Sequence, residues 1–107
     1  MATSNSNGSQ TAVISTEHTL ATITTSGSFV LDVDLNAMAL GDILVLRVKK
    51  KVRSTGTTRL MYEAVYAHVQ DILVSESIPS ASTNEWVVTL EQTAGTGRAY
   101  PWEIWEL

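Results

Sequence analysis

Two histidines and one closely spaced pair of aspartates are the candidates for catalysis or metal binding in this 107-residue chain. His18 lies in a polar segment, and His68 follows Tyr66 on a predicted strand far away along the chain. Because no other metal-binding residue lies near His68 in sequence, we predict a hydrogen-bonded, partly buried imidazole rather than a base or a ligand.

Asp32 and Asp34 form the best candidate cation site, because side chains two residues apart on a strand lie on the same face. Calcium takes about 6 to 8 oxygen ligands, and this segment offers no third carboxylate, so a solvated strand face is favoured. The chain has no cysteine and none of the GxSxG, HExxH or Walker patterns. The sequence therefore predicts a non-enzymatic protein that uses no cofactor and no metal.

Positive charge is concentrated in one stretch, residues 47–59. This window contains six of the seven Lys and Arg residues and none of the 11 carboxylates, although the whole chain has a net charge of −4. The six basic residues are Arg47, Lys49, Lys50, Lys51, Arg53 and Arg59. Because nothing in the local sequence neutralises them, we predict that they bind a partner.

Three uses of the basic window are compatible with the sequence. It could dock on an acidic protein surface, where complementary charge fixes the register and speeds encounter. It could be a solvated hairpin tip whose lysines prevent aggregation at a sheet edge. It could also bind nucleic acid with strong salt dependence, but the window has no Phe, Tyr or Trp to stack on bases. Protein docking is therefore favoured, and nucleic acid is ranked last.

Two tryptophans near the end of the chain are candidate contacts between subunits. Trp102 and Trp105 are three residues apart on a predicted strand, so they face opposite sides and cannot share one core. The expected outer residue is Trp105, with Pro101 and Leu107, and large aromatic side chains contribute strongly to interfaces. The alternatives are that Trp105 lies over its own sheet or stacks on a sugar.

The elements that would position these residues are short strands separated by polar turns. Residues 1–11 have almost nothing to bury and are expected to be a flexible N-terminal arm. They contain no basic or apolar signal region, and no run approaches the ~20 apolar residues of a membrane helix. No export signal and no membrane association are therefore expected. Residues 12–107 should form a single domain.

The basic window lies within a long hairpin predicted over residues 42–69. Its first strand, from Ile43, is buried at the base and basic towards the tip, and its return strand, Leu60–Val69, is apolar on both faces, as in a central strand. Residues 36–42 allow at most about two helical turns or a connecting turn. Residues 71–83 are predicted to lie outside the core, with Ile78-Pro79 ending any strand there.

Two further strands are predicted from clean alternation. Phe29, Leu31, Val33 and Leu35 share one face, and Trp86, Val88 and Leu90 share another. Altogether, about seven short strands and no firm helix predict an all-β, single-domain antiparallel β-sandwich. A jelly roll is one arrangement of such a sandwich, and a small barrel is the alternative.

Two segments, GDILVLRVKKKVRSTGTTRLMYEAVYAHVQ and VVTLEQTAGTGRAYPWEIWEL, resemble small structural proteins of tailed bacteriophages, and the resemblance extends over about residues 20–107. It implies a virion protein made in the host cytoplasm, above all a capsid decoration or cement protein. Such proteins sit in several copies over joints between major capsid subunits. The resemblance further implies that the basic hairpin meets acidic capsid protein and that the chain is a dimer or trimer. A tail or neck component and a small nucleic-acid-binding barrel are the alternatives.

Overall fold

In the part of the chain that the structure describes, eight antiparallel strands form two four-stranded sheets that pack face to face. The computed structural model describes residues 3–51, 53, 55–80 and 85–107, and no helix occurs among them. Residues 1, 2, 52, 54 and 81–84 lie outside the described residues, and they include parts of the predicted arm, of the predicted hairpin and of the predicted 71–83 segment. The strands are β1 (Thr3–Thr11), β2 (Glu17–Ile23), β3 (Gly27–Asp34), β4 (Ile43–Lys50), β5 (Arg59–Ala67), β6 (Leu73–Ser80), β7 (Trp86–Ala94) and β8 (Ala99–Glu106).

The strand order is that of a jelly roll. The first sheet has the order β1-β8-β3-β6 and the second sheet has the order β2-β7-β4-β5. The pairs are therefore nested along the chain, with β4 beside β5, β3 beside β6, β2 beside β7 and β1 beside β8. Eight strands wound in this way define the two-sheet jelly roll. The predicted antiparallel β-sandwich is confirmed.

The core lies between the sheets and is built by the alternation that the sequence predicted. Phe29 and its alternate neighbours on β3 face inward, and Trp86, Val88 and Leu90 of β7 meet them fully buried. The rings of Phe29 and Trp86 pack edge to face, with centroids 5.3 Å apart, a geometry that aromatic quadrupoles favour.

Residues 3–11 form strand β1 instead of a free arm. Their side chains are mostly exposed, as their composition predicted, but their backbone pairs with β8 from Thr3 to Thr11. The reason is that β8 would otherwise present an open row of backbone groups. The indole of Trp102 also lies directly against Gly8, the register partner of Trp102.

Strand β5 lies at the edge of the second sheet, so its prediction as a central strand was wrong. The interior position belongs to β4, which pairs with both β5 and β7, and Leu44, Val45 and Leu46 are buried there. An apolar composition on both faces indicates that a strand is suited to burial, but it cannot show whether a neighbour is present in the same chain.

Two further predicted segments have different outcomes. Residues 36–42 form turns without a helix, which is the connecting-turn alternative predicted for them. Residues 73–80 form a regular edge strand of the first sheet, so the strand continues through Ile78 and Pro79. An edge strand tolerates proline because one side of its backbone has no ladder to complete.

Candidate interaction surface

Arg47 lies in the middle of the outer face of the second sheet, where it pairs with carboxylates. Its Nη1 is 3.1 Å from Glu17 Oε2 and 2.8 Å from Glu91 Oε1, and its Nε is 3.0 Å from Glu63 Oε2. Lys49 Nζ lies 2.9 Å from Glu17 Oε2. The five charged residues come from all four strands of the second sheet. We call them the outer-face ion network: Glu17, Arg47, Lys49, Glu63 and Glu91.

The outer-face ion network strongly favours the charged forms of its members. A hydrogen bond from Thr89 Oγ1 to Glu17 Oε2, 2.7 Å long, makes the largest contribution to lowering the pKa of Glu17 to about 2. Partial burial opposes this shift, and Lys49 and Arg47 reinforce it. The pKa of Arg47 is raised, chiefly by its hydrogen bond to Glu91. Arg47 and Lys49, two of the six predicted partner-binding cations, are therefore already paired with carboxylates of the same chain.

The other four predicted partner-binding cations lie at the end of the hairpin, and we call Lys50, Lys51, Arg53 and Arg59 the basic tip. Lys50 and Arg59 are cross-strand neighbours in the register of β4 and β5. Lys51 follows β4, where its N–H donates to the carbonyl of Glu85 over 3.1 Å. Within the described residues no carboxylate lies within 4.0 Å of these four cations. Like charges directly opposite each other destabilise a sheet, so the basic tip is an electrostatic cost that an acidic partner would relieve.

The two tryptophans lie on opposite faces of β8, as their spacing predicted. Trp102 points inward and packs against the core and Gly8, whereas Trp105 lies half-buried on the outer face of the first sheet. There Trp105 lines an open groove of about 290 Å³ whose other lining residues are Asp32, Asp34, Leu73, Pro101, Trp102 and Glu103. Trp102 therefore supports β1, and Trp105 is the member of the pair on the outer face of the sheet, although both border this groove.

The end of the sandwich away from the basic tip contains a polar cluster around Asp42, which the sequence did not reveal. Asp42 is only 1% exposed and accepts hydrogen bonds from the N–H of Ala39, the N–H of Thr96 and Nε of Arg98, at 2.9, 3.1 and 3.0 Å. Burial raises the pKa of Asp42, but these donors outweigh burial and the pKa is lowered. Gly95, with φ of +89°, leaves room for the carboxylate, because a Cβ there would overlap it.

A second buried pair fixes the same turn. Gln92 donates to the carbonyls of Ala94 and Thr96 over 3.0 and 2.7 Å and accepts a 2.9 Å hydrogen bond from the Tyr100 hydroxyl. Burial, and then the nearby Asp42, raises the pKa of Tyr100 to about 12. The β7–β8 turn is therefore held by side chains from β7, β8 and the β3–β4 connection.

The candidate catalytic and metal-binding residues have separate, local roles. His18 Nε2 accepts the N–H of Val13 at 3.1 Å, and His68 Nδ1 accepts the N–H of Gly41 at 3.0 Å. His68 is hydrogen-bonded as predicted, but the prediction of partial burial was wrong: His68 is exposed and lies just after β5, with φ of +65°, instead of on a strand. Asp32 and Asp34 share a face, and among the described residues no group of three His, Cys, Asp or Glu could hold a metal.

Comparisons with known proteins give no relative from which a role could be transferred. No protein-family model matches the chain, and neither a curated protein nor a solved structure shows significant similarity to it. In the part of the chain that the structure describes, no helix is long and apolar enough to cross a membrane. Any functional conclusion therefore rests on the surface itself.

Proposed function

We propose that this protein is a non-enzymatic structural component of a virion, a decoration or cement protein that binds the outside of a phage head. The basic tip docks on an acidic surface of the major capsid protein or of another virion protein, and the chain acts as a homo-oligomer. Neither a membrane nor a cofactor takes part, and nucleic acid is the less favoured partner.

The observation that carries the proposal is the cross-strand pairing of Lys50 with Arg59. The same hairpin neutralises Arg47 and Lys49 with carboxylates from neighbouring strands. The basic tip has no such partner within the described residues, so its charge does not stabilise the fold. A cluster of this kind is expected where electrostatic complementarity to another molecule sets orientation and encounter rate.

The fold supports the proposal at the level of architecture. Jelly rolls occur in viral capsid domains, but also in lectins and cupins, so the fold alone does not select a role. The resemblance of the hairpin and the C-terminal strands to phage structural proteins favours the virion among these. The basic tip then selects the docking surface.

Co-sedimentation with undecorated phage heads tests the proposal at low and moderate salt. The Lys50→Gln, Lys51→Gln double variant removes two positive charges from the tip and should weaken binding roughly tenfold, because exposed charge pairs contribute up to ~1 kcal/mol each. The matched control is Ser9→Glu with Thr93→Glu, which changes the net charge equally at exposed positions far from the tip. This control should bind like the unmodified protein.

Two results would refute capsid docking. One is an absence of co-sedimentation at both salt concentrations. The other is tight binding to single-stranded DNA whose affinity falls steeply with salt and disappears in the double variant, which would identify nucleic acid as the partner.

A further inference from the structure

Strand β5 has the composition of a central strand but lies at an open edge. Among the described strands only β4 pairs with it, and Leu60, Met61 and Val65 are 52%, 49% and 59% exposed. Two of the other edge strands have features that discourage pairing. Strand β1 is polar throughout, and β6 contains a proline. An apolar edge without proline or glycine is a ready template for another strand.

The free backbone groups of β5 can be assigned from its junction with β4. The N–H of His68 donates to the carbonyl of Asp42 over 2.8 Å, on the β4 side. Because N–H groups alternate sides along a strand, the N–H groups of Glu63 and Val65 face the open edge. The register shift beside Val48 leaves Met61 unpaired with β4, so the regular part of the strand begins at Tyr62.

We propose that two copies of this chain pair through β5, antiparallel and about a two-fold axis at Ala64, to join their second sheets into one eight-stranded sheet. This register keeps the inner faces aligned and pairs Tyr62 with Tyr66 of the second copy twice, and cross-strand aromatic pairs stabilise sheets. A register centred on Glu63 would place two carboxylates opposite each other. The interface is self-complementary, so it closes as a dimer.

Charge favours a second copy as the occupant of the edge. Antiparallel pairing places the two basic tips at opposite ends of a nine-residue strand, about 30 Å apart at ~3.3 Å per residue. That separation exceeds the Debye length of ~8 Å at physiological ionic strength, so the tips do not repel each other. Each Arg59 instead approaches the turn after β5 of the second copy, which has the exposed Asp71.

Cysteine crosslinking tests the pairing directly because the chain has no cysteine. In the proposed register Ala64 meets Ala64 of the second copy as a non-hydrogen-bonded pair, with Cα atoms about 4.5 Å apart, which is within the range that a disulfide spans. Ala64→Cys should therefore form a covalent dimer under mild oxidation. Ser9→Cys, exposed on the polar edge strand β1, is the matched control: it should still pair through β5 but should form no covalent dimer.

Sedimentation velocity provides the second measurement. The unmodified protein should dimerise with concentration, and Val65→Pro should raise the dimer Kd at least about thirtyfold, since two edge-facing N–H donors are lost per dimer. Val65→Thr keeps the N–H and should dimerise normally.

Three results would overturn the proposal. The first is that the unmodified protein stays monomeric at all concentrations. The second is that Ser9→Cys crosslinks as readily as Ala64→Cys. The third is that Val65→Pro folds and dimerises normally. Should Val65→Pro fail to fold, the crosslinking comparison decides. No phage head is needed, so this outcome is separate from the test of capsid docking.

Discussion

Replacing Arg47 with methionine should lower the free energy of unfolding by about 3 kcal/mol at neutral pH, even though Arg47 belongs to the basic window. Methionine retains much of the side-chain volume and removes the charge. The variant loses all three ion pairs of Arg47 and leaves Glu17, Glu63 and Glu91 close together, with Lys49 as the cation of the network that remains.

The magnitude follows from the exposure of each pair. Arg47 and Glu91 are 21% and 19% exposed at their side chains, and their 2.8 Å contact is worth about 2 kcal/mol as a charged hydrogen bond. The pairs with Glu17 and Glu63 are more exposed, so we assign about 0.5 kcal/mol to each. For a domain of this size the total corresponds to a fall in Tm of roughly 10–20 °C.

The effect should depend on pH, because the pKa of Glu17 is lowered to about 2 in the folded protein. A lowered folded pKa gives stability that is fully present above the unfolded value of 4.5 and is lost as the pH falls towards 2. Arg47 is one of the donors that lower this pKa, after Thr89 and Lys49, so part of the stability that Arg47 provides is lost over the same pH range. The deficit of Arg47→Met should therefore shrink as the pH falls from 4.5 towards 2.

Urea denaturation followed by tryptophan fluorescence at neutral pH and at about pH 3, inside the range over which the Glu17 contribution is lost, measures this deficit. The matched control is Lys50→Met, which removes a charge from the same strand but also removes the like charge at the position opposite Arg59. The control should lie within about 0.5 kcal/mol of the unmodified protein. Equal losses in the two variants, or a pH-independent deficit in Arg47→Met, would refute the assignment of Arg47 to the fold.

Three further substitutions test the parts of the fold that hold the surface. Gly95→Ala should destabilise the protein by about 2–4 kcal/mol in thermal melts, because its Cβ overlaps the Asp42 carboxylate and its φ is positive. Asp42→Asn should cost about 2–3 kcal/mol at pH 7 and less as the pH falls through the lowered pKa of Asp42, measured by urea denaturation. Trp102→Ala should speed amide hydrogen exchange selectively in residues 3–11, because the indole supports β1.

The sequence was sufficient for the parts of the fold that depend on alternation. Phe29 to Leu35 and Trp86 to Leu90 alternate without interruption, and both segments became core strands. The apolar run at the base of β4 was likewise buried as predicted. Whether β5 is a central or an edge strand could not be predicted in this way. A strand with two apolar faces has the same sequence pattern whether the strand beside it belongs to its own chain or to another.

The ion pairs and buried polar contacts could not be predicted from the sequence, because they join residues that are far apart along the chain. Arg47 meets Glu17 and Glu91, which are 30 and 44 residues away, and no local pattern connects them. Asp42 was predicted only as the last residue of the 36–42 segment and the start of the hairpin, although it accepts a hydrogen bond from Thr96, 54 residues away. Its signal, a short run from Gly41 to Asp42 before an apolar strand, is common to many turns.

The two proposed surfaces lie on the same hairpin, so they have a joint consequence. A β5–β5 dimer presents two basic tips at opposite ends of one sheet, and two linked sites bind a repeating acidic surface more tightly than one site does. Val65→Pro leaves each tip intact, so it should weaken binding to phage heads through the loss of avidity alone. The Lys50→Gln, Lys51→Gln variant should weaken that binding while it leaves the dimer unchanged. Weaker binding to phage heads in both variants, with loss of the dimer in Val65→Pro alone, would show that docking and dimerisation use separate parts of one hairpin.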